Sequence, residues 1–268
     1  MTMRVFGMTN VGMKRQVNQD SFLIKEYDCG LLAVVCDGMG GASGGEEASS
    51  TATAAFSGYI DISLAGADDP GIPLDKWGMG ETKDLSGRAV NKDKSVKEIL
   101  LSAVRAANNA VYAAANENDA LNGMGTTLVS AYISGDKVYA VNVGDSRMYI
   151  IKDESITQIT HDHSFVQYLV DIGKMTADEA KTSNNRNIIT RAVGTEAVVE
   201  TDFFTVDTDM SGGYVLLCTD GLTNHITEED IVKCVTEAEG PEGACASLIE
   251  KANLGGGSDN ITVVIISM

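Results

Sequence analysis

Apolar positions along this chain follow two periods, and each change of period marks an element. The run Leu31-Leu32-Ala33-Val34-Val35-Cys36 is apolar throughout, too short for a globular helix and rich in valine, so it predicts a buried strand. It ends on Asp37 and dissolves into Gly38-Met39-Gly40-Gly41. The design returns at 214–218, which runs into Thr219-Asp220-Gly221, and at 138–143, which runs into Gly144-Asp145-Ser146. Asp259, in the turn Gly256-Gly257-Ser258-Asp259-Asn260, precedes one more apolar run at 261–266.

Strands are also predicted over 3–8 and 21–26, joined by a polar turn with Gly12, Lys14, Arg15, Asn18, Gln19 and Asp20, and over 127–133, 147–152 and 155–160. The connections Gly135-Asp136 and Asp153-Glu154 suit antiparallel hairpins. Helical spacing places Ala48, Ala52, Ala55, Phe56 and Tyr59 on one face, behind Glu46 and Glu47, whose charges suit a helix start. Ser95 and Glu98 form a capping-box pattern before a helix over 95–114, and Thr176 and Glu179 another within a helical 164–181. Residues 184–193 read as extended, and 227–237 and 242–253 as helices. Hairpins with segregated helices predict an α+β layered fold, not a Rossmann-type one.

Between 65 and 93 the chain turns to Gly, Asp, Pro and Lys, the composition of a long surface insertion. Because the aspartates lie on both sides of it, the 268 residues read as one domain, 1–268. With 20 basic and 38 acidic residues the net charge is −18, which argues against nucleic acid or an anionic membrane as partner. The five cysteines form no Cys-x-x-Cys pair and read as buried apolar residues of a reducing compartment. No apolar run reaches the roughly 18 residues of a membrane span and the N-terminus has no signal-peptide core, so the expected location is cytoplasmic.

Each Asp-Gly pair alone is an ordinary turn. Several such strand ends together imply a shared site, where like charges repel unless cations lie between them. Oxygen ligands without Cys or His select hard ions, Mg2+ or Mn2+. Two such ions about 4 Å apart can activate a water and hold an in-line phosphoryl displacement. A nucleotide-loop reading of Gly38 to Gly45 fails for want of a Gly-Lys-Ser/Thr ending. No cysteine is followed six residues on by Arg, so a cysteine-based phosphatase is unsupported. His161 and His163 could pair on a metal and His225 could donate a proton, but satisfied surface or core histidines weigh more. Arg15 alone reads as solvated surface.

In order, the chain carries Arg15-Gln-Val-Asn-Gln19-Asp20, Val35-Cys-Asp37-Gly38-Met39-Gly-Gly41, Gly125-Thr-Thr127, Val143-Gly-Asp145-Ser-Arg147, Thr190-Arg-Ala-Val-Gly194, Cys218-Thr-Asp220-Gly-Leu222 and Ser258-Asp259-Asn-Ile-Thr-Val263. This series resembles the metal-dependent protein phosphatases, the type 2C serine/threonine class, and Met39 resembles their bacterial branch. The resemblance implies a four-layer α-β-β-α sandwich of two antiparallel sheets flanked by helices. It implies hydrolysis of phosphoserine and phosphothreonine by water on a dinuclear Mn2+ or Mg2+ centre.

By matching positions, Asp37 would bridge two ions and the Gly38 carbonyl would bind one, with Asp220 and Asp259 completing the other. Asp20 would orient the water from beside the centre, Asp145 with Asp220 would form a weaker third site, and Arg15 would bind substrate phosphate. Residues 164–190 match the flap. Implied partners are phosphorylated proteins, the targets of a Ser/Thr kinase. Two departures stand out. Gln19 replaces the usual Glu, so it reaches a metal water only through its amide oxygen. Met39 replaces the histidine proposed elsewhere as general acid. The rival readings are a catalytically weak phosphoprotein-binding regulatory module of the same fold, and a phosphatase dedicated to one regulator, such as an anti-sigma-factor antagonist.

Overall fold

The computed structural model describes residues 3–65, 95–207 and 212–268. Its strands are β1 (Arg4–Asn10), β2 (Asp20–Tyr27), β3 (Gly30–Met39), β4 (Gly125–Thr126), β5 (Leu128–Ser134), β6 (Lys137–Val143), β7 (Arg147–Lys152), β8 (Ser155–Gln158), β9 (Asp202–Asp207), β10 (Tyr214–Cys218) and β11 (Ile261–Ser267). Its helices are α1 (Gly41–Ala65), α2 (Val96–Glu117), α3 (Phe165–Asp171), α4 (Ala177–Thr182), α5 (Asp220–Thr223), α6 (Glu228–Thr236) and α7 (Pro241–Leu254). One antiparallel sheet has the order β1-β11-β10-β7-β8 and the other β2-β3-β5-β6-β9, with β4 against the end of β3.

The apolar runs are explained by burial on both faces. Val35 and Val129 of one sheet meet Met148, Leu217 and Val264 of the other in the inner layer. The alternate residues Leu32, Val34 and Cys36 turn outward onto α1 and α2, while Leu216, Cys218 and Val263 turn onto α6 and α7. The result is the expected helix–sheet–sheet–helix stack.

Register then sets where the chemistry can be. Cys218 pairs with both Val263 and Arg147, so the end of β10 and the starts of β11 and β7 coincide. Asp20 lies opposite Asp37, and Val35 opposite Val129, so β2, β3 and β5 share an end as well. Residues 144–146 carry the chain from β6 across to β7, and with it from one sheet to the other at that same end.

Several expectations need correction. Helix α1 starts at Gly41, ahead of Glu46, because Gly40 and Gly41 at φ 137° and 69° turn the chain early; its first turn holds no acid. The helix expected over 164–181 is two, α3 and α4, broken at Gly173 with φ 67°. Residues 184–193 form local turns, with single bridges Ser164–Ile189 and Thr126–Val193. Strand β9 and the helix α5 were not anticipated, since β9 is short and follows polar sequence and α5 is a single turn. The capping boxes at Ser95 and Thr176 form, joined by a third at Thr227. The expected 65–93 insertion lies outside the described residues beyond Ala65.

Leu217 is fully buried between the sheets, whereas Leu254 at the end of α7 is 82% exposed. Leu217→Ala is expected to cost about 2–5 kcal/mol of stability in denaturant unfolding. Leu254→Ala should stay within about 0.5 kcal/mol.

Candidate functional site

At the shared end of the two sheets a cleft of about 530 Å³ opens, lined by Asp37, Asp145, Asp220 and Asp259 together with Gly38, Gln19 and Arg15. Asp20 stands behind this wall, buried directly across from Asp37. The aspartates, Gly38, Gln19 and Arg15 singled out in the sequence therefore converge, although they come from both sheets.

The backbone around Asp37 is fixed by Thr126 of β4 and by Thr127, which joins β4 to β5. Asp37 N–H donates to Thr127 Oγ1 at 2.9 Å, while Thr127 N–H and the Thr126 hydroxyl both donate to Asp37 O, at 2.9 and 2.8 Å. Thr127 Oγ1 lies 2.7 Å from Ser146 Oγ, which ties this corner to the loop bearing Asp145. A side chain on Gly38 would collide with Gly45 O, and one on Gly221 with Asn260 O. Glycine follows both aspartates because another backbone passes there.

Asp20 Oδ2 accepts from the Thr262 and Thr219 hydroxyls at 2.6 and 3.0 Å, and its Oδ1 is buried with no hydrogen-bond partner among the described residues. Asp220 Oδ2 accepts from Asn224 Nδ2 at 2.9 Å, and its Oδ1 is likewise unpartnered. Arg15 Nη2 donates to Asp259 Oδ2 at 2.8 Å, and Asp259 Oδ1 accepts the Asn260 N–H at 2.9 Å. Gln19 Nε2 donates to Gly41 O at 2.7 Å.

Burial pushes Asp20 up to about 7, against the two threonine hydrogen bonds, with help from the charges of Asp220 and Asp259. Burial first, and then the charges of Asp20, Asp220, Asp145 and Asp259, hold Asp37 well above the carboxylate range. Burial also raises Asp145 and Asp220, reinforced by Asp220 and Asp259 respectively. Orphaned carboxylate oxygens in a crowd of like charges fit hard divalent cations, whose binding would satisfy both. Among the described residues no three Asp, Glu, His or Cys side chains close on a single point. The aspartates instead ring the cleft, the arrangement suited to ions that keep several waters and take one or two carboxylates each.

The histidines have other work. His163 Nδ1 accepts the Gly144 N–H at 3.1 Å, whereas His161 Nε2 pairs with Asp171 at 2.9 Å, so the two do not share a ligand. His225 Nε2 accepts from the Ser258 N–H at 2.9 Å. Burial pushes the Cys36 and Cys218 thiols up to about 12, which makes them inert core residues as expected. Sequence reasoning missed Thr219, Thr262 and Asn260, the polar anchors behind the aspartates. It also missed the buried ion pair of Arg147 with Asp162 at 2.6 Å. All but Asp162 lie inside the quoted motifs, so position within a motif was the available signal.

The family profile described as Protein phosphatase 2C matches residues 13–250. The serine/threonine protein phosphatase PstP of Mycobacterium tuberculosis is 36% identical over 265 residues; the match covers 99% of this chain and 45% of that protein. The chain thus spans about half the length of that relative. The crystal structure of serine/threonine phosphatase Stp1 from Staphylococcus aureus superposes with TM-score 0.83 at 30% identity, covering 100% of this chain and 96% of the other. The catalytic domain of PstP in complex with two manganese ions gives TM-score 0.76 at 33% identity, covering 99% and 97%. With the family profile spanning most of its length and relatives of this identity, the chain belongs to the protein phosphatase 2C family.

Proposed function

We propose that this chain is a metal-dependent protein serine/threonine phosphatase, a single catalytic domain over 1–268 that hydrolyses phosphoserine and phosphothreonine in proteins. The observation that carries the reading is one cleft combining four aspartates with a guanidinium. Asp37 and the Gly38 carbonyl, with Asp220 and Asp259, would hold two Mn2+ or Mg2+ ions, and Asp145 with Asp220 a weaker third. When bound, the ions supply an activated water and neutralise the carboxylates, turning an acidic cleft into a receptor for a phosphate dianion.

This chain's own side chains do the rest. Arg15 is half exposed at the mouth of the cleft and can exchange Asp259 for two phosphate oxygens. Asp20 and the Gln19 amide oxygen orient water from behind. Met39 lines the cleft without a proton to give, so the proton for the leaving serine or threonine oxygen must come from another group or from water. A second cleft of about 630 Å³ adjoins the first at Asp145 and Asp220 and is walled by the expected flap, 164–190, and the start of α6; it suits the polypeptide flanking the phosphoresidue. The partners are phosphoproteins made by a Ser/Thr kinase, and the location is cytoplasmic; among the described residues no helix is long and apolar enough to cross a membrane. The rival of a weak phosphoprotein-binding module has no observation in its favour, since all the ligand positions are filled by oxygen donors.

Purified protein is expected to release phosphate from a phosphothreonine peptide with Mn2+ and to stop on chelation. Asp37→Asn and Asp220→Asn should each lower kcat/KM by more than about 100-fold, beyond what an outer-shell change costs. Arg15→Ala should raise KM about tenfold, the scale of one charge-assisted hydrogen bond. Release that survives chelation, or full activity in Asp37→Asn, would sink the reading.

The same carboxylates make metal-free stability depend on pH. Folded Asp20 keeps its proton up to about 7, against 3.8 for an ordinary aspartate. Its contribution to stability is therefore full below 3.8 and lost as pH rises through about 7. Thermal melts in chelator should fall across that window, Asp20→Asn should flatten the fall, and Mn2+ should restore stability at neutral pH.

A further inference from the structure

Asp259 is delivered by the turn 255–258, in which three of four residues are glycine and two, Gly256 and Gly257, have φ of 128° and 49°. Such a segment loses much backbone freedom on ordering, so something must hold it. From α7 the hold is backbone only: Gly255, Gly256 and Gly257 N–H donate to Lys251, Asn253 and Ala252 carbonyls. A side chain from elsewhere, His225, spans the turn. Its Nε2 accepts the Ser258 N–H at 2.9 Å and lies 2.9 Å from Ser258 Oγ, and its Nδ1 lies 3.2 Å from Gly255 O. A backbone N–H can only donate, so Nε2 carries no proton. The ring is then the tautomer with its hydrogen on Nδ1, donating to Gly255 O, and the Ser258 hydroxyl also points its hydrogen at Nε2. On its other side the turn receives Met13 N–H at Gly257 O, 2.7 Å away, two residues before Arg15, which reaches Asp259.

We propose that His225 is a positioning residue which, as a neutral imidazole braced across Gly255 and Ser258, fixes the glycine turn and thereby sets Asp259 and the Arg15 loop against the cleft. The ring does not line the cleft that gathers the aspartates. Its effect is on how well the site is preorganised for both, and it rests on the metal-dependent reading above. Because the ring braces a surface turn and lies outside the three core clusters, its loss should move metal and phosphate binding more than folding.

The test is Mn2+ titration calorimetry on the full chain, alongside KM for a phosphothreonine peptide and metal-free denaturant unfolding. His225→Ala should weaken Mn2+ binding about fivefold, the scale of one net hydrogen bond, and raise KM, with the metal-free unfolding midpoint unchanged. His225→Gln places an amide oxygen where Nε2 accepts and should restore most of the affinity. Ser258→Ala should weaken Mn2+ binding in the parent but add nothing in His225→Ala, the signature of a coupled pair. Parental affinity in His225→Ala, equal losses in Ala and Gln variants, additivity with Ser258→Ala, or a loss that follows metal-free stability would each overturn the role. A parent chain that binds no Mn2+ would overturn the metal reading and this inference together.

Discussion

The constraint behind the whole arrangement is that five carboxylates, Asp20, Asp37, Asp145, Asp220 and Asp259, are gathered at one end of a sandwich, most of them buried. Like charges in a low-dielectric site oppose folding unless protons, hydrogen bonds or cations intervene. The architecture supplies the hydrogen bonds first. Thr219 and Thr262 reach from one sheet to Asp20 on the other, and Thr127 and Ser146 join the corner where Asp37 and Asp145 meet. These polar contacts lie at the end of an otherwise apolar interface, so the point where the sheets are stitched together is also where the chemistry is. Among the described residues, hydrogen bonds leave the buried Oδ1 atoms of Asp20 and Asp220 unsatisfied, the groups that ions and their waters would satisfy on the proposed reading.

Much of this was legible in the sequence, for identifiable reasons. A strand buried on both faces must be apolar at every position, and a lone aspartate at its end then stands out. That signature exposed Asp37, Asp145 and Asp220, and antiparallel hairpins with short turns gave the sheet class. Order along the chain then matched a known family. The pattern could not say that Asp20 sits behind the cleft wall, because only the register of β2 against β3 and the two threonines from the other sheet put it there. The start of α1 was misjudged because acidic residues were read as a helix start, whereas the backbone conformation of Gly40 and Gly41 decided it. Strand β9 escaped because its pairing with β6 follows a long polar stretch that carries no periodicity.

The supporting residues follow a common rule that a search for ligands would pass over. Asn260 accepts the Gln19 N–H at 2.8 Å and donates to Val11 O and Val17 O at 3.0 Å, so one amide holds the whole 11–19 loop against the Asp259 turn. His163 grips Gly144 next to Asp145, and His225 grips Ser258 next to Asp259. The two histidines capture backbone one residue from a cleft aspartate, and Asn260 captures the N–H one residue before Asp20. Loops bearing aspartates are made rigid in this way without adding charge to a site that already has too much.

The ion pair between Arg15 and Asp259 completes the electrostatic argument. At 2.8 Å it is short, yet the two side chains are 50% and 26% exposed, and a pair this wet is worth about 1 kcal/mol or less. A strong pair would compete with substrate for the guanidinium and with a cation for the carboxylate. A weak one keeps Arg15 over the cleft at little energetic cost and yields when a cation claims Asp259. On the proposed reading the guanidinium would then face the cleft with its donors free, and an anion would be its best remaining partner. In a chain of net charge −18, a phosphate dianion is otherwise repelled from most of the surface. On the proposed reading the cleft would become attractive only once its aspartates are neutralised, which would couple cation binding to phosphate recognition through this one exposed contact.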